Sequence, residues 1–487
     1  MDFLGKIISI LLVHAFLVSC TIFPFYSHQN KKDKVTRNKY TQNLENNAPS
    51  GAYLASYDVN WQLDFDCRNN WEFQQGDNLL PVSGCPQNDS NFIGMAISGG
   101  GSRSAVFSAA VFFELQRYGI LQQVDVMSSV SGGSLTAAYY TLSCDQSDNP
   151  QKCPPTVEGP PRYIWEPEEV FSNLEKNFIG RWVSNWFWPD NILRYWFTYY
   201  DRTDVMVETF SDNLFDNSRL GGEGFRFHDL NPQRPFLILN ATNNTRSDNL
   251  ELEFTFTDKY FSEIKSNLAQ YPIANAVMAS SAFPAAFNYN TLRNYSFDEK
   301  RYVHLFDGGT SDNLGLSALE KVLCKIDAPS KRQSDKKMKL LVILIDAHIP
   351  TRGKSSRDPD PRSVFDYFLD TNFVDTYDTL MAKMRDDKIK GMRNILNKGD
   401  SKSGKLIHVK FDDLNKINRN IYEVVKNIDT SFNIGSNEAN CLKHAARILV
   451  EGEMEKLREN NSWSTLVQDP PSEAYPIEPC LPEENNQ

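Results

Sequence analysis

From residue 92 onward the chain alternates between short all-apolar runs and stretches whose apolar positions recur every three to four residues. Residues 92–98 (FIGMAIS) predict a buried strand, followed by Gly99-Gly100-Gly101 and a helix over 105–118 that lines up Val106, Ala109, Ala110, Phe113 and Leu115. A second strand over 124–130 breaks at Ser131-Gly132-Gly133 into a helix over 135–142. Residues 235–241 (PFLILNA) predict another buried strand, and 250–257 alternates apolar with polar residues in the manner of a half-exposed edge strand. Further on, 301–306 predicts a strand ending in Asp307-Gly308-Gly309, Asp312 caps a helix through 325, and 340–345 is an apolar strand ending at Asp346. Helical stretches follow from Ser363 and from Asn437. Strand and helix alternate without an internal repeat, which implies one α/β body.

Two regions break this rhythm. Residues 162–200 hold five Trp, four Phe and four Tyr, a density that suits either an aromatic subcore or a lid or lipid-facing wall. Residues 470–482 contain five Pro and Cys480, and imply an extended tail on the body or a loose one.

The N-terminus reads as an address. Lys6 precedes twelve mostly apolar residues, 7–18, which end in Leu17-Val18-Ser19-Cys20, a signal-peptide layout. The L-V-S-C stretch resembles the lipobox of bacterial lipoproteins, and that resemblance implies lipidation at Cys20 and a membrane tether. The competing reading is an uncleaved anchor, since counting residues 23–26 lengthens the apolar stretch toward a bilayer span. The basic run Lys31, Lys32, Lys34, Arg37 and Lys39 is a solvated tether or a holder of anionic lipid.

Composition narrows the class. At 487 residues, 40% hydrophobic and 23% charged, the chain is globular. Its formal charge of −11 divides into +4 over residues 20–39 and −15 over 40–487, an acidic body unsuited to nucleic acid. Cys67 with Cys85 and Cys144 with Cys153 are close enough in sequence to close short disulfide loops, which fits export; seven Cys remain after Cys20, so at least one is free. Cys324 reads as a buried thiol. Neither zinc-spaced Cys/His nor a calcium loop appears, so no metal or cofactor is implied.

The candidate chemistry is acyl transfer, which needs a nucleophile, a base and N–H donors for the oxyanion. Ser131, within Ser129-Val130-Ser131-Gly132-Gly133, sits at a strand-to-helix turn. The glycines Gly99, Gly100 and Gly101 can aim backbone N–H groups into one concavity, with Arg103 adding charge and a possible clamp. Asp307 before Gly308-Gly309 is the candidate base. A triad of Ser131, Asp307 and His348 also follows the chain order of α/β-hydrolases. His304 is set aside, because a regular strand to 307 puts it on the opposite face from Asp307.

These stretches resemble the patatin-like phospholipases. Their GGGx[RK]G loop is similar to residues 99–104, their G-x-S-x-G elbow to 129–133, their D-G-[GA] to 307–309, and an A-S-x-A-x-P-x-x-F segment to 279–287 (ASSAFPAAF). Two positions depart: Ser104 and Ser129 stand where the family has Gly, and a positive φ at either would strain the backbone. The resemblance implies a three-layer α/β/α sandwich with a mixed, mostly parallel central sheet. It also implies a Ser131/Asp307 dyad without His, and lipid esters, glycerophospholipid above all, as substrates at a membrane. A non-catalytic lipid- or partner-binding lipoprotein and an acyltransferase are the alternatives. The expected organisation is a signal peptide (1–19), a lipid-anchored polar linker (20–52), an N-terminal extension (53–91), the hydrolase domain (92–461) with its aromatic insertion (145–230), and a Pro-rich tail (462–487).

Overall fold

The computed structural model describes residues 72–75, 78–81, 91–145, 153–156, 161–215, 224–245, 251–284, 286–326, 339–349, 371–397, 404–470 and 474–480. Cys20, the signal-peptide and linker segments, Cys67 and Cys85 lie outside them. Ten strands are described: β1 (Glu72–Gln75), β2 (Asn78–Pro81), β3 (Asn91–Ile97), β4 (Val126–Val130), β5 (Phe236–Asn243), β6 (Glu253–Thr255), β7 (Asn290–Asn294), β8 (Arg301–Asp307), β9 (Lys339–Asp346) and β10 (Gly404–Lys410). The longer helices are α1 (Gly101–Arg117), α2 (Gly132–Leu142), α3 (Pro167–Leu174), α4 (Phe178–Trp186), α5 (Pro189–Phe197), α6 (Arg202–Phe210), α7 (Ile273–Ser281), α8 (Leu316–Ile326), α9 (Thr371–Asn397) and α10 (Ser436–Arg458).

β1 and β2 pair only with each other, and the other eight strands form the central sheet in the order β10-β9-β3-β4-β5-β8-β7, with β6 pairing β5. The pairs from β10 to β5 are parallel; β5 with β8, β8 with β7, and β5 with β6 are antiparallel. Helices cover both faces, with α1, α2, α7 and α10 packed together on one and α8 and α9 on the other. The fold is thus a three-layer α/β/α sandwich around a mixed, mostly parallel sheet. Central strands covered on both faces must be apolar or have their polar groups bonded internally, as Ser128, Asn240 and Thr242 are here. Accordingly every residue of β4 and β5 is buried, whereas β8 near the edge alternates. α2 and α7 are buried along their whole length, which their Gly, Ala, Ser and Thr content permits by letting neighbouring backbones approach.

Three elements differ from the sequence expectation. The paired part of the strand expected over 250–257 is only Glu253–Thr255, because Leu252 turns outward (63% exposed) while Phe254 and Phe256 stay in the core. The helix expected from Asp312 begins later: a short turn, Gly309–Asp312, is followed by Gly315 at φ +69° and then α8. Asp312 still caps it, accepting from the Leu314 and Ser317 N–H groups at 3.0 and 2.6 Å. The helix expected from Ser363 is described only from Thr371.

The Pro-rich tail lies on the body. Tyr475 packs at a tilt on Phe113 and Phe171 with its carbonyl held by Arg447, and Cys480 forms a disulfide with Cys441 of α10. Cys144 and Cys153 form a second disulfide. The Cys441–Cys480 link closes a loop of 39 residues, so replacing both by Ser is expected to lower the unfolding free energy by roughly 2–4 kcal/mol, read from urea unfolding under oxidising conditions.

Candidate active site

The sheet register assembles the site. Val130 pairs with Asn240 on β5, so Ser131 stands level with Ala241, and Ala241 pairs on its other side with Asp307 of β8. Ile97 pairs with Ser129, which brings Gly99, two residues on, beside Ser131. Three segments far apart in sequence therefore end in one row, with Ser131 and Asp307 two strand spacings apart, about 10 Å between backbones. Their side chains close that gap: Ser131 Oγ donates to Asp307 Oδ2 at 2.9 Å.

Ser131 is held at φ 50°, ψ −125°, a conformation that non-glycine residues avoid and that costs roughly 1–3 kcal/mol. It is over-determined by its surroundings. Its N–H donates to Ser280 Oγ at 2.9 Å and its carbonyl accepts from Ser134 N at 2.8 Å. Gly132 follows without a side chain because a Cβ there would run into the Gly101 backbone, and one on Gly133 would meet the Ser98 carbonyl. The two glycine-bearing turns thus pack backbone to backbone.

Asp307 is buried. Besides the Ser131 hydroxyl its carboxylate accepts from Gly309 N at 2.7 Å, and its own N–H is held by the Ala282 carbonyl at 3.0 Å. Burial pushes its pKa up to about 6, against the opposing pull of the Gly309 and Ser131 hydrogen bonds. The group is ionised at neutral pH yet more basic than an ordinary carboxylate, as suits a general base. Gly308 is required by close approach, since a Cβ would strike the Asn240 carbonyl.

In the glycine loop, Gly100 and Gly101 have φ of 144° and 58°. The Gly99 N–H donates to the Asn313 carbonyl at 3.0 Å, so Gly99 serves by packing against Ser131 Cβ and not by presenting its amide. Among the described residues the Gly100 and Gly101 N–H groups have no protein acceptor. Arg103 differs from the clamp the sequence suggested. Its Nε donates to the Ala347 carbonyl at 3.1 Å and its Nη1 to the Ile428 carbonyl at 2.6 Å, which makes it a brace between α1 and the segments that flank the loop.

The two departures from the family pattern carry no strain: among the described residues only Ser131 and Lys265 are non-glycines with positive φ. Ser104 Oγ instead donates to the Ser98 carbonyl at 2.5 Å, and Ser129 Oγ bonds Ser134 Oγ at 3.1 Å. Ser134 in turn reaches Ser280 Oγ at 3.0 Å, so hydroxyls run from Ser129 to the amide of Ser131. Sequence reasoning left Ser280 out of the site, although it lies within the 279–287 stretch that carried part of the resemblance.

Neither histidine candidate is brought to the pair. His348 follows Asp346, whose carboxylate is bound by Arg385 and His408, and the charges that act on His348 are those of Asp346, Arg385, Arg103 and Asp412, with burial lowering its pKa. His304 bonds Thr291 on the outward face of β8, away from Asp307. No group of three or more His, Cys, Asp or Glu side chains is placed to hold a metal among the described residues.

Residues 95–319 match the family model of the patatin-like phospholipases, the segment that carries all the residues of this site. No curated protein matches the sequence. Among solved structures, human GIVD cytosolic phospholipase A2 is similar at 11% identity and a TM-score of 0.44, over 90% of this chain and 68% of its own. VipD from Legionella pneumophila is similar at 13% identity and a TM-score of 0.28, over 76% of this chain and 67% of its own.

The raised pKa of Asp307 has a stability consequence. A carboxyl whose folded pKa exceeds its unfolded value of about 4 favours the folded state below that value, and the advantage is lost as pH rises through about 6. Asp307→Asn, isosteric and still able to bond Gly309 and Ser131, is therefore expected to be more stable than wild type by about 1–3 kcal/mol at pH 8 and no more stable at pH 4, by urea unfolding at both.

Proposed function

We propose that this chain is an exported, membrane-tethered lipid acyl hydrolase of the phospholipase A or lysophospholipase type. The observation that carries the reading is the Ser131 Oγ to Asp307 Oδ2 hydrogen bond, made by a serine at positive φ and a buried carboxylate, with no histidine bonded to either among the described residues. Asp307 takes the Ser131 proton as Oγ attacks the ester carbonyl. The oxyanion is received by the Gly100 and Gly101 N–H groups, with the N-terminus of α2 adding favourable potential. The protonated Asp307 returns the proton to the departing alcohol, which leaves an acyl-serine, and then activates the water that releases the fatty acid. Lipid esters are the substrate class on the strength of the patatin-like match over residues 95–319.

The location rests on the leader and on Cys20, which we read as the lipidated first residue of the mature chain. Two disulfides in the body support an oxidising compartment. Among the described residues no helix is long and apolar enough to cross a membrane, and residues 7–26 lie outside them.

A fluorophosphonate probe tests the site. The expected outcome is a single adduct on Ser131 by peptide mass spectrometry, absent in Ser131→Ala and slowed by about 10²–10⁴ in Asp307→Asn, with His348→Ala keeping most of the rate. Labelling and ester cleavage are also expected to fall about tenfold per pH unit below about 6, as Asp307 protonates. A folded wild type that takes no label, or a dead His348→Ala, overturns the dyad. For the tether, metabolic labelling with a palmitate analogue is expected to mark wild type and not Cys20→Ser; an unacylated wild-type terminus refutes lipidation.

A further inference from the structure

The aromatic insertion divides into a root and a face. Tyr163, Trp165, Phe171 and Phe178 are buried in the core. Over α4, α5 and the residues that link and follow them, Phe187 is 70% exposed, Trp188 63%, Trp196 73%, Phe197 57% and Tyr199 84%. Folded chains rarely leave so many large aromatics together in water without a partner. The face is also poor in charge: residues 178–200 contain only Arg181, Asp190 and Arg194. Arg194 is paired with Glu208, while Arg181 is exposed. In a chain of net charge −11 this face is thus close to neutral, since Arg181 offsets Asp190 and Glu208 offsets Arg194.

The face is fastened to the site on two sides. At one end the Phe178 and Ile179 N–H groups both donate to the Phe432 carbonyl, and the adjoining Ser431 carbonyl accepts from Ser102, directly after the glycine loop. At the other, Trp182 packs on Phe287 with ring centroids 5.6 Å apart, and Thr203 and Asn288 exchange hydrogen bonds at 2.9 and 3.0 Å. Phe287 and Asn288 continue from α7, whose Ser280 holds the Ser131 amide. Between α4 and α5 lies a cavity of about 510 Å³, walled by Trp182, Trp186, Phe187 and Tyr195.

We propose that this face docks onto a phospholipid bilayer, with Trp188, Trp196 and Tyr199 at the headgroup level and Phe187 and Phe197 at the acyl boundary. The occupant follows from chemistry on the face itself. Trp and Tyr suit the interface between water and hydrocarbon, where an apolar ring body and a polar tip are both satisfied. Charge decides which side of the molecule a bilayer meets. The acidic body is repelled from anionic headgroups and the near-neutral aromatic face is not, so a bilayer meets the molecule on this side. The hydrolase reading enters only in what the docking is for, namely bringing Ser131 to lipid.

The full chain is reconstituted into phosphatidylcholine vesicles containing 20 mol% phosphatidylglycerol, with ordinary or brominated acyl chains, and its tryptophan emission is compared. Bromolipid quenching of the wild type is expected, and most of it is expected to be lost in Trp188→Ser/Trp196→Ser. Unquenched wild type, or equal quenching in the double variant, overturns the proposal. So does a dimer in detergent, by analytical ultracentrifugation, that the double variant converts to monomer. Hydrolysis of vesicle phospholipid by that variant is expected to fall about tenfold or more, with a soluble short-chain ester cleaved within about twofold of wild type; equal losses overturn the proposal. The wild-type measurement needs neither a stable variant nor turnover, and Ser131→Ala is expected to be quenched like wild type, so failure of the hydrolase reading and failure of docking are told apart.

Discussion

The hydrogen bond between Ser131 and Asp307 exists only because three strands keep one register. β5 separates the two residues and pairs with Val130, beside Ser131, in parallel and with Asp307 itself in the antiparallel ladder to β8. A slip of one residue in either ladder would turn Ser131 or Asp307 to the opposite face, since side chains alternate along a strand. Burial of every residue of β4 and β5 opposes such a slip, because it would disturb the whole core around them. The catalytic distance is therefore a property of the core, and the antiparallel β8, ending at Asp307, delivers a carboxylate where a parallel strand would deliver its own beginning.

Around that pair, small residues are dictated by contact and not by flexibility alone. Gly132 lies on the Gly101 backbone and Gly308 on the Asn240 carbonyl, so the nucleophile turn, the glycine loop and the aspartate turn share backbone surfaces with no layer of side chains between them. Serine hydroxyls then fix what the backbone leaves open, Ser280 on the Ser131 amide and Ser104 on the Ser98 carbonyl. The same close packing excludes water from Asp307 and keeps it basic.

Much of this was legible from one-dimensional pattern. Strands buried on both faces tend to near-continuous apolar runs, and FIGMAIS and PFLILNA announce themselves for that reason. Backbone-mediated chemistry leaves a sequence mark because only Gly tolerates the approach, which is why the turns at 99–101, 132–133 and 308–309 stood out. Side-chain roles set by partners far along the chain did not. Arg103 looked like a site cation, and only folding brings it the carbonyls of Ala347 and Ile428, 244 and 325 positions away. Ser280 reads as filler in a small-residue helix until its partner, 149 positions back, is in place. The Cys441–Cys480 pair could not be picked from seven cysteines, and Leu252 fitted the alternation of a half-exposed strand yet faces solvent at the end of the β5–β6 ladder.

A tether and a docking face do different work. On the proposed reading, a lipid on Cys20 raises the local concentration of the body at the bilayer but leaves the body free to turn. A buried serine gains little from proximity without orientation, because an ester must arrive from one direction. The two roots of the aromatic helices supply that direction. One is bonded to the loop that precedes α10, beside the glycines, the other to the segment that continues from Ser280, so the exposed face cannot tilt without moving the walls of the site. On the proposed reading, confinement by the lipid and alignment by the aromatic face act in sequence: the first makes encounters with the membrane frequent, and the second makes a larger share of them productive.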